Sequence, residues 1–403
     1  MIAARTYDGL RILDLSTNIA GPYAALILAD LGADVVKIER SPAGDDTRAL
    51  PPRWGDEATV FLAMNRNKRS VLLDIKSTAG RAAILKLAET ADVVIESFPP
   101  GVATKLGLDH AAFSAANPGV ITCTVSAFGS GPIGGTMPGY DALVQAVSGL
   151  MSLTGHPGAE PVRTGPSILD VTTGMWSAIA IQAALARRAA GAGGTHVGTT
   201  LIESAFALVA HQIQGLHATG EQPPKLGSGA PSAAPYRVYR ATDGFLMIAT
   251  ASEPQFPRLC AALGMSDAAQ DPRFATMTDR LTHRDALDTA IEAVIATHSV
   301  DEWLAIMASA GISAGRVNDL KEALELPVVE ELRLFVAASD IGDSGGLPMQ
   351  RLPIDPEGAG HLRPSPRLGQ HTREVLREAG FSDRQVDGLV KDQIARSNKE
   401  RIT

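Results

Sequence analysis

The sequence predicts an α/β protein, with a large Rossmann-like domain on a parallel sheet and a small α+β domain. Apolar, β-branched runs alternate with helical patterns between Leu10 and Gly129, as in βαβ units. Gly and Pro collect just after several strand ends, where α/β proteins bind ligands. A hairpin signal with Asp243-Gly244 at its turn follows a Gly- and Pro-rich stretch and marks the second domain. At 403 residues the chain exceeds what one core usually serves.

In order, "LRILDLS" (10–16) reads as a buried strand and "GPYAALILADLGA" (21–33) as a helix closed by Gly32. Strands follow at 34–40 and 70–76, a helix at 80–91, then strands at 92–98 and 119–129. Helices are expected at 141–155, 171–190 and 201–219. Residues 220–236 read as a linker or ordered loop. After the hairpin, helical patterns at 253–263, 285–297 and 300–310 complete a small domain over about 236–318. The amphipathic "SPRLGQHTREVLREAG" is expected to pack back on the large domain. The division expected is 1–225 with 330–403 for the large domain, and 226–329 for the small domain with its linkers.

Composition narrows the function. A net charge of −8 argues against a nucleic-acid binder, so an anionic ligand would need a local basic patch. "MIAARTYDGLRILDLS" lacks the apolar stretch of a secretory signal, and the charge-free stretch 171–186 is shorter than the roughly 20 residues of a membrane span. Cys123 and Cys260 lie far apart, without a CxxC, and read as small core residues of a metal-free protein in a reduced cytosol. The nine histidines show no ligand spacing.

A literal G-x-G-x-x-G stands at Gly129, Gly131 and Gly134, but Pro132 and more loop follow it where a dinucleotide fingerprint needs a helix. Arg66, Lys68 and Arg69 in "NRNKRS", Arg40 at a strand end and Lys105 after "SFPPGVATK" sit at the ends of βαβ elements. They are either solvated surface charge or a polyphosphate site. Asp170, in "SILDVTTGMWSAI", opens a stretch with no other charge until Arg187. Locally it reads as a helix cap, and it could also be a reactive group.

The stretches "GLRILDLSTNIAGPYAALILADLGADVVKIERSPAGDDTR", "NRNKRSVLLDIK", "DVVIESFPPGVATKLGL", "PGYDALVQAVSGLMSLTG", "SILDVTTGMWSAIAIQAAL" and "APYRVYRATDGFLMIATASEPQFPRLCAALG" resemble the class III coenzyme A transferases. That family includes formyl-CoA and carnitine CoA-transferases and α-methylacyl-CoA racemase. The resemblance covers nearly the whole chain in order. It implies an interlocked homodimer, with CoA or acyl-CoA as substrate, a carboxylic acid acceptor and no tightly bound cofactor, metal, nucleic acid or membrane.

By the same resemblance, Asp170 is the nucleophile that forms an aspartyl mixed anhydride and then an aspartyl-CoA thioester. A helix N-terminus would keep such a carboxylate ionised. Ala20 would approach CoA, Arg40, Lys68 and Lys105 would meet its phosphates, and Ser97 and Phe98 would line the adenine side. Lys105 stands where some relatives have Arg, which removes a bidentate contact. Gly227 and Gly229, in "GSGAPS", match a glycine-rich loop that covers the reactive Asp; otherwise the stretch is an ordinary linker. The racemase branch has His where this chain has Tyr140. Tyrosine, with an ordinary pKa near ~10, is a poor base at neutral pH, which favours CoA transfer over racemisation. Asp141 either assists the acyl end or caps its own helix. The acids used across the family range from oxalate to bile acids, and a small dicarboxylate such as succinate is the working expectation.

Overall fold

The computed structural model describes residues 6–336, 347–353, 362–392 and 394–396; part of the 330–403 segment assigned to the large domain lies outside these. Strand β1 (Arg11–Asp14) leads into α1 (Ala20–Asp30) and β2 (Asp34–Arg40). A small hairpin at Arg53–Trp54 and Glu57–Ala58 precedes α2 (Thr59–Asn65) and β3 (Lys68–Leu73). Next come α3 (Thr78–Ala88), β4 (Val93–Glu96), α4 (Val102–Leu106), α5 (His110–Ala116) and β5 (Ile121–Ser126). The chain continues through α6 (Asp141–Val147), α7 (Leu150–Leu153), α8 (Ile168–Ala189), β6 (Thr195–Thr200), α9 (Leu201–Leu208) and α10 (Ala210–Thr219).

Strands β7 (Tyr236–Arg240) and β8 (Phe245–Ala249) precede α11 (Gln255–Ala262), α12 (Met277–Thr282), α13 (Arg284–Ile295), α14 (Val300–Ser309) and β9 (Ala314–Arg316). Then follow α15 (Leu320–Leu324), α16 (Pro327–Glu331), α17 (Thr372–Glu378), α18 (Asp383–Lys391) and β10 (Ala395–Arg396).

The chain forms two compact units: Met1–Ser148, Gly165–Ala210 and Pro327–Thr403 in one, Gly149–Thr164 and His211–Leu326 in the other. The first holds a seven-stranded sheet in the order β10-β3-β2-β1-β4-β5-β6. All its pairs are parallel except β10 with β3. The six parallel strands therefore run 3-2-1-4-5-6, the doubly wound order that places a ligand crevice where β1 and β4 part. Pleating sends alternate residues to opposite faces. Leu13, Val36 and Val71 meet Ile84, Leu87, Phe113 and Leu376 on one face. Ile12, Val35, Val93 and Ile121 meet Ala24, Leu28 and Ile181 on the other. Each such large side chain contributes about 1.5–3 kcal/mol on burial.

Helix α1 forms because its apolar run tolerates Pro22 in the first turn, where the missing N–H costs nothing. It ends where Gly32 takes φ +104° and donates to the Ala29 carbonyl. The helix expected at 141–155 is two, since Gly149, at φ +85°, breaks it between α6 and α7. The one expected at 201–219 breaks at Val209 into α9 and α10. The helix expected at 171–190 is α8, which starts three residues earlier and has 22 residues. By length and composition alone it could cross a membrane, but Ile181 and Ala184 lie in the core beside α1 and the sheet.

The second unit contains the expected hairpin as β7 and β8, with β9 added on the open edge of β8. Tyr239, Leu246, Ile248, Leu259, Leu287 and Trp303 fill its core. Residues 149–164 and 211–225, read from the sequence with the large domain, pack here. Gly227 N–H donates to the Gly155 carbonyl and Lys225 Nζ to the Ala159 carbonyl, which ties these segments together. The tail packs on the large unit as expected. Thr372 Oγ1 accepts from Leu72 N–H, and Arg69 is held by Glu374 and Glu378.

Candidate active site

The loops after β1 and β4 meet at the crevice, where Thr17 N–H donates to Ser97 Oγ at 3.0 Å. Phe98 follows, its N–H donating to the buried Glu96 carboxylate at 2.7 Å. Burial raises the Glu96 pKa. Phe98, Glu96, His110, Thr122, Thr124 and His196 line a cavity of about 220 Å³ on this side of the sheet. Ala20 begins α1 and is buried. Arg40, at the end of β2, is exposed and paired with Asp46. Lys105 is exposed in the last turn of α4.

Lys68 is a correction. It is only 3% exposed, and its ammonium donates to Asp14 at 2.9 Å, to the Pro22 carbonyl at 2.8 Å and to Asn65 at 2.9 Å. Burial lowers its pKa to about 8, with Asp14 pulling the other way. All three ammonium donors are spent inside the protein, so none is left for a phosphate. The rest of "NRNKRS" is occupied too: Arg66 binds Asp30, and Arg69 binds Asp34, Glu374 and Glu378. These cations counter carboxylates under the strand ends. Burial penalises the Asp14 carboxylate, but Lys37 and Lys68 outweigh this and hold its pKa down at about 2.

Asp170 lies inside the first turn of α8, three residues after the N-cap Ser167, whose side chain makes no capping bond. The amides of Ile168 to Val171 are all accounted for. Ile168 N–H donates to the Pro166 carbonyl at 2.9 Å and Val171 N–H to the Ser167 carbonyl at 3.2 Å. Leu169 and Asp170 N–H both donate to Asp141 Oδ2, at 2.8 and 3.1 Å. Asp141 is 6% exposed, and its other oxygen accepts from Gln145 Nε2 at 2.6 Å. Asp141 thus caps α8 rather than its own helix, whose N-cap is the 75% exposed Tyr140.

Among the described residues, no group donates to the Asp170 carboxylate. Burial, and secondarily the Asp141 charge, raise its pKa to about 7. The expectation that helix amides keep it firmly ionised is therefore corrected, because Asp141 has taken those amides. One turn on, Gly174 lets α8 press against α1. A Cβ there would stand 2.7 Å from the Ala20 carbonyl oxygen and 3.1 Å from Tyr23. The sequence held a signal for this close approach, a glycine within a long apolar helix, but the Asp141 cap is tertiary and had none.

Gly227 and Gly229 lie in the second unit. Gly227, at φ +61°, packs on the His156 ring. The loop is pinned by Arg284, which donates to the Ala230 carbonyl at 2.7 Å, and by Ser228 Oγ, which accepts from Val238 N–H at 2.9 Å. Gly129 and Gly134 lead into a 3₁₀ turn and loop rather than a helix, which leaves no dinucleotide cradle there. Cys123 is buried, with its thiol pushed up to about 12 by burial, and Cys260 is buried and raised to about 11. Among the described residues, no group of three or more His, Cys, Asp or Glu could hold a metal ion.

The model of CoA-transferase family III matches residues 7–372. The chain is 36% identical to succinate–glutarate CoA-transferase of Agrobacterium fabrum, over 92% of this chain and 95% of that protein. It is 34% identical to acetyl-CoA:oxalate CoA-transferase of Acetobacter aceti, again over 92% and 95%. The crystal structure of a CaiB/BaiF family protein from Brucella suis superposes with a TM-score of 0.82 at 35% identity, covering 93% of this chain and all of that one. A match of this extent settles the classification: the chain belongs to CoA-transferase family III and is an enzyme that transfers CoA.

Proposed function

We propose that this enzyme moves CoA between two small carboxylic acids, at least one a dicarboxylate, with Asp170 as nucleophile. The observation that carries the reading is the half-buried Asp170 carboxylate at the head of α8, which accepts no hydrogen bond among the described residues. An oxygen free of donors, with a pKa raised to about 7 by burial and by Asp141, is a stronger nucleophile than an ordinary carboxylate. It attacks the thioester carbonyl of the acyl-CoA, the C–S bond breaks, and CoA leaves as thiolate. The thiolate then attacks the aspartyl carbonyl of the mixed anhydride and releases the first acid as its carboxylate, leaving an aspartyl-CoA thioester. The second acid attacks that thioester and the same two steps run in reverse. The new acyl-CoA leaves and Asp170 is regenerated.

The names of the relatives, which pair succinate with glutarate and acetyl-CoA with oxalate, support the dicarboxylate. In this reading the CoA phosphates meet the exposed Arg40 and Lys105, while Ala20, Ser97 and Phe98 flank the nucleotide. A homodimer belongs to the same proposal. Leu143 and Val147 of α6, Met175, Trp176 and Ile179 of α8, and Phe206 of α9 leave apolar side chains exposed on three packed helices, a surface a second copy would cover. The test is incubation with succinyl-CoA, followed by hydroxylamine trapping and peptide mass analysis. A trapped adduct on Asp170, absent from a folded Asp170→Ala, is expected. An adduct that survives in Asp170→Ala overturns the assignment.

A further inference from the structure

We infer that Asp141 is a positioning residue for the transfer reaction: it occupies the two free amides at the head of α8 and so keeps the Asp170 carboxylate out of its own helix cap. The inference rests on the reading of Asp170 as nucleophile. An acid in the first turn of a helix can turn its carboxylate onto its own or a neighbouring orphan amide. Such a bond would bind the lone pairs needed for attack and lower the basicity of the carboxylate. Here the amides of Ile168, Leu169 and Asp170 each have a partner, and the two nearest the Asp170 carboxylate, its own and that of Leu169, are held by Asp141 Oδ2. Asp141 is itself fixed, since its second oxygen accepts from the fully buried Gln145 four residues along α6. Two carboxylates thus share one helix end: one accepts three hydrogen bonds and the other, among the described residues, accepts none.

The charges facing Asp170 are few. From α6 comes Asp141. On α1 the titratable side chains are Tyr23, against Gly174, and Asp30 at the far end, paired with Arg66. On α9 the titratable residue is Glu203, bonded to Thr200. Tyr140, beside Asp141, is exposed. Among the described residues, the charge that bears on the Asp170 equilibrium is that of Asp141.

The test is the single-turnover rate of succinate release from succinyl-CoA between pH 5 and 9, for the full chain and for Asp141→Ala and Asp141→Asn. In Asp141→Ala the vacated amides draw in the Asp170 carboxylate. Succinate release should fall at least about tenfold, and its acidic limb should move down by about one pH unit or more. Asp141→Asn keeps an acceptor for the amides, with Gln145 turning its own amide to match, and loses only the charge. It should recover most of the rate while keeping a lowered limb. Limbs unchanged in both variants, with only the melting temperature reduced, would make Asp141 a structural cap and overturn the inference. If the wild type forms no adduct on Asp170, the nucleophile reading itself has failed, and the adduct assay separates that outcome from this one.

Discussion

Replacing Asp170 by Asn should make the protein more stable at pH 8 while abolishing CoA transfer. The carboxylate ionises near 3.8 in an unfolded chain and near 7 in the folded one, because burial and then Asp141 oppose its charge. Below pH 4 it is protonated in both states and costs nothing. As pH rises from 4 to 7 the unfolded chain ionises first, so stability drains away across that window and the loss is constant above it. A displacement of about three pH units is worth about 4 kcal/mol in full. Water reaching the half-exposed oxygens reduces the working figure to about 2 kcal/mol. Asparagine has the same shape and no charge. For a chain of this size the gain is about 2–4 °C in melting temperature at pH 8, shrinking to about 1–1.5 °C at pH 5. Calorimetry of both proteins at both pH values measures it. A variant less stable than wild type at pH 8, or equally shifted at both pH values, would show that Asp170 draws its stability from the helix end after all.

Two further outcomes follow from the packing around the site. Gly174→Val places side-chain atoms against the Ala20 carbonyl, costs about 2–3 kcal/mol by forcing α8 off α1, and should cut transfer at least about tenfold with Asp170 intact, whereas Gly174→Ala should be milder in both thermal melts and rate. Lys68→Met breaks a buried ion pair and should cost about 3 kcal/mol in urea unfolding, at the low end because Lys37 still faces Asp14; CoA affinity of the folded fraction, measured by calorimetric titration, should stay within about twofold.

Much of the fold is written in local pattern. "DVVKIER" occupies β2 residue for residue because a β-branched run between a left-handed glycine and a turn has few alternatives. Strand β6 was missed because "THVGTT" on a sheet edge carries no apolar run, and β10 because two residues carry no pattern. For the site, Asp170 was legible as a lone charge before an apolar helix. Its environment was not, since the group that saturates the helix end comes from 29 residues away, through a contact no spacing rule encodes. Lys68 shows the converse. A basic run at a strand end reads as a phosphate patch until Asp14, Asp30 and Asp34 are seen beside it, the first and last brought there by the sheet and Asp30 by the end of α1.

The way α17 seals the flank of β3 has a consequence for how this chain comes into being. Leu72 waits for the hydroxyl of Thr372, 300 residues further on, and Arg69 waits for Glu374 and Glu378. While a ribosome works through the intervening stretch, the nascent sheet holds an open flank, with a guanidinium answered only by Asp34 and a row of unpaired amides. Such a flank recruits whatever strand arrives first. The cell must shield it for about 15–60 seconds at ordinary translation speeds. Demand for chaperones, and loss to inclusion bodies when expression outruns them, should therefore track this late seal more than any property of the finished active site.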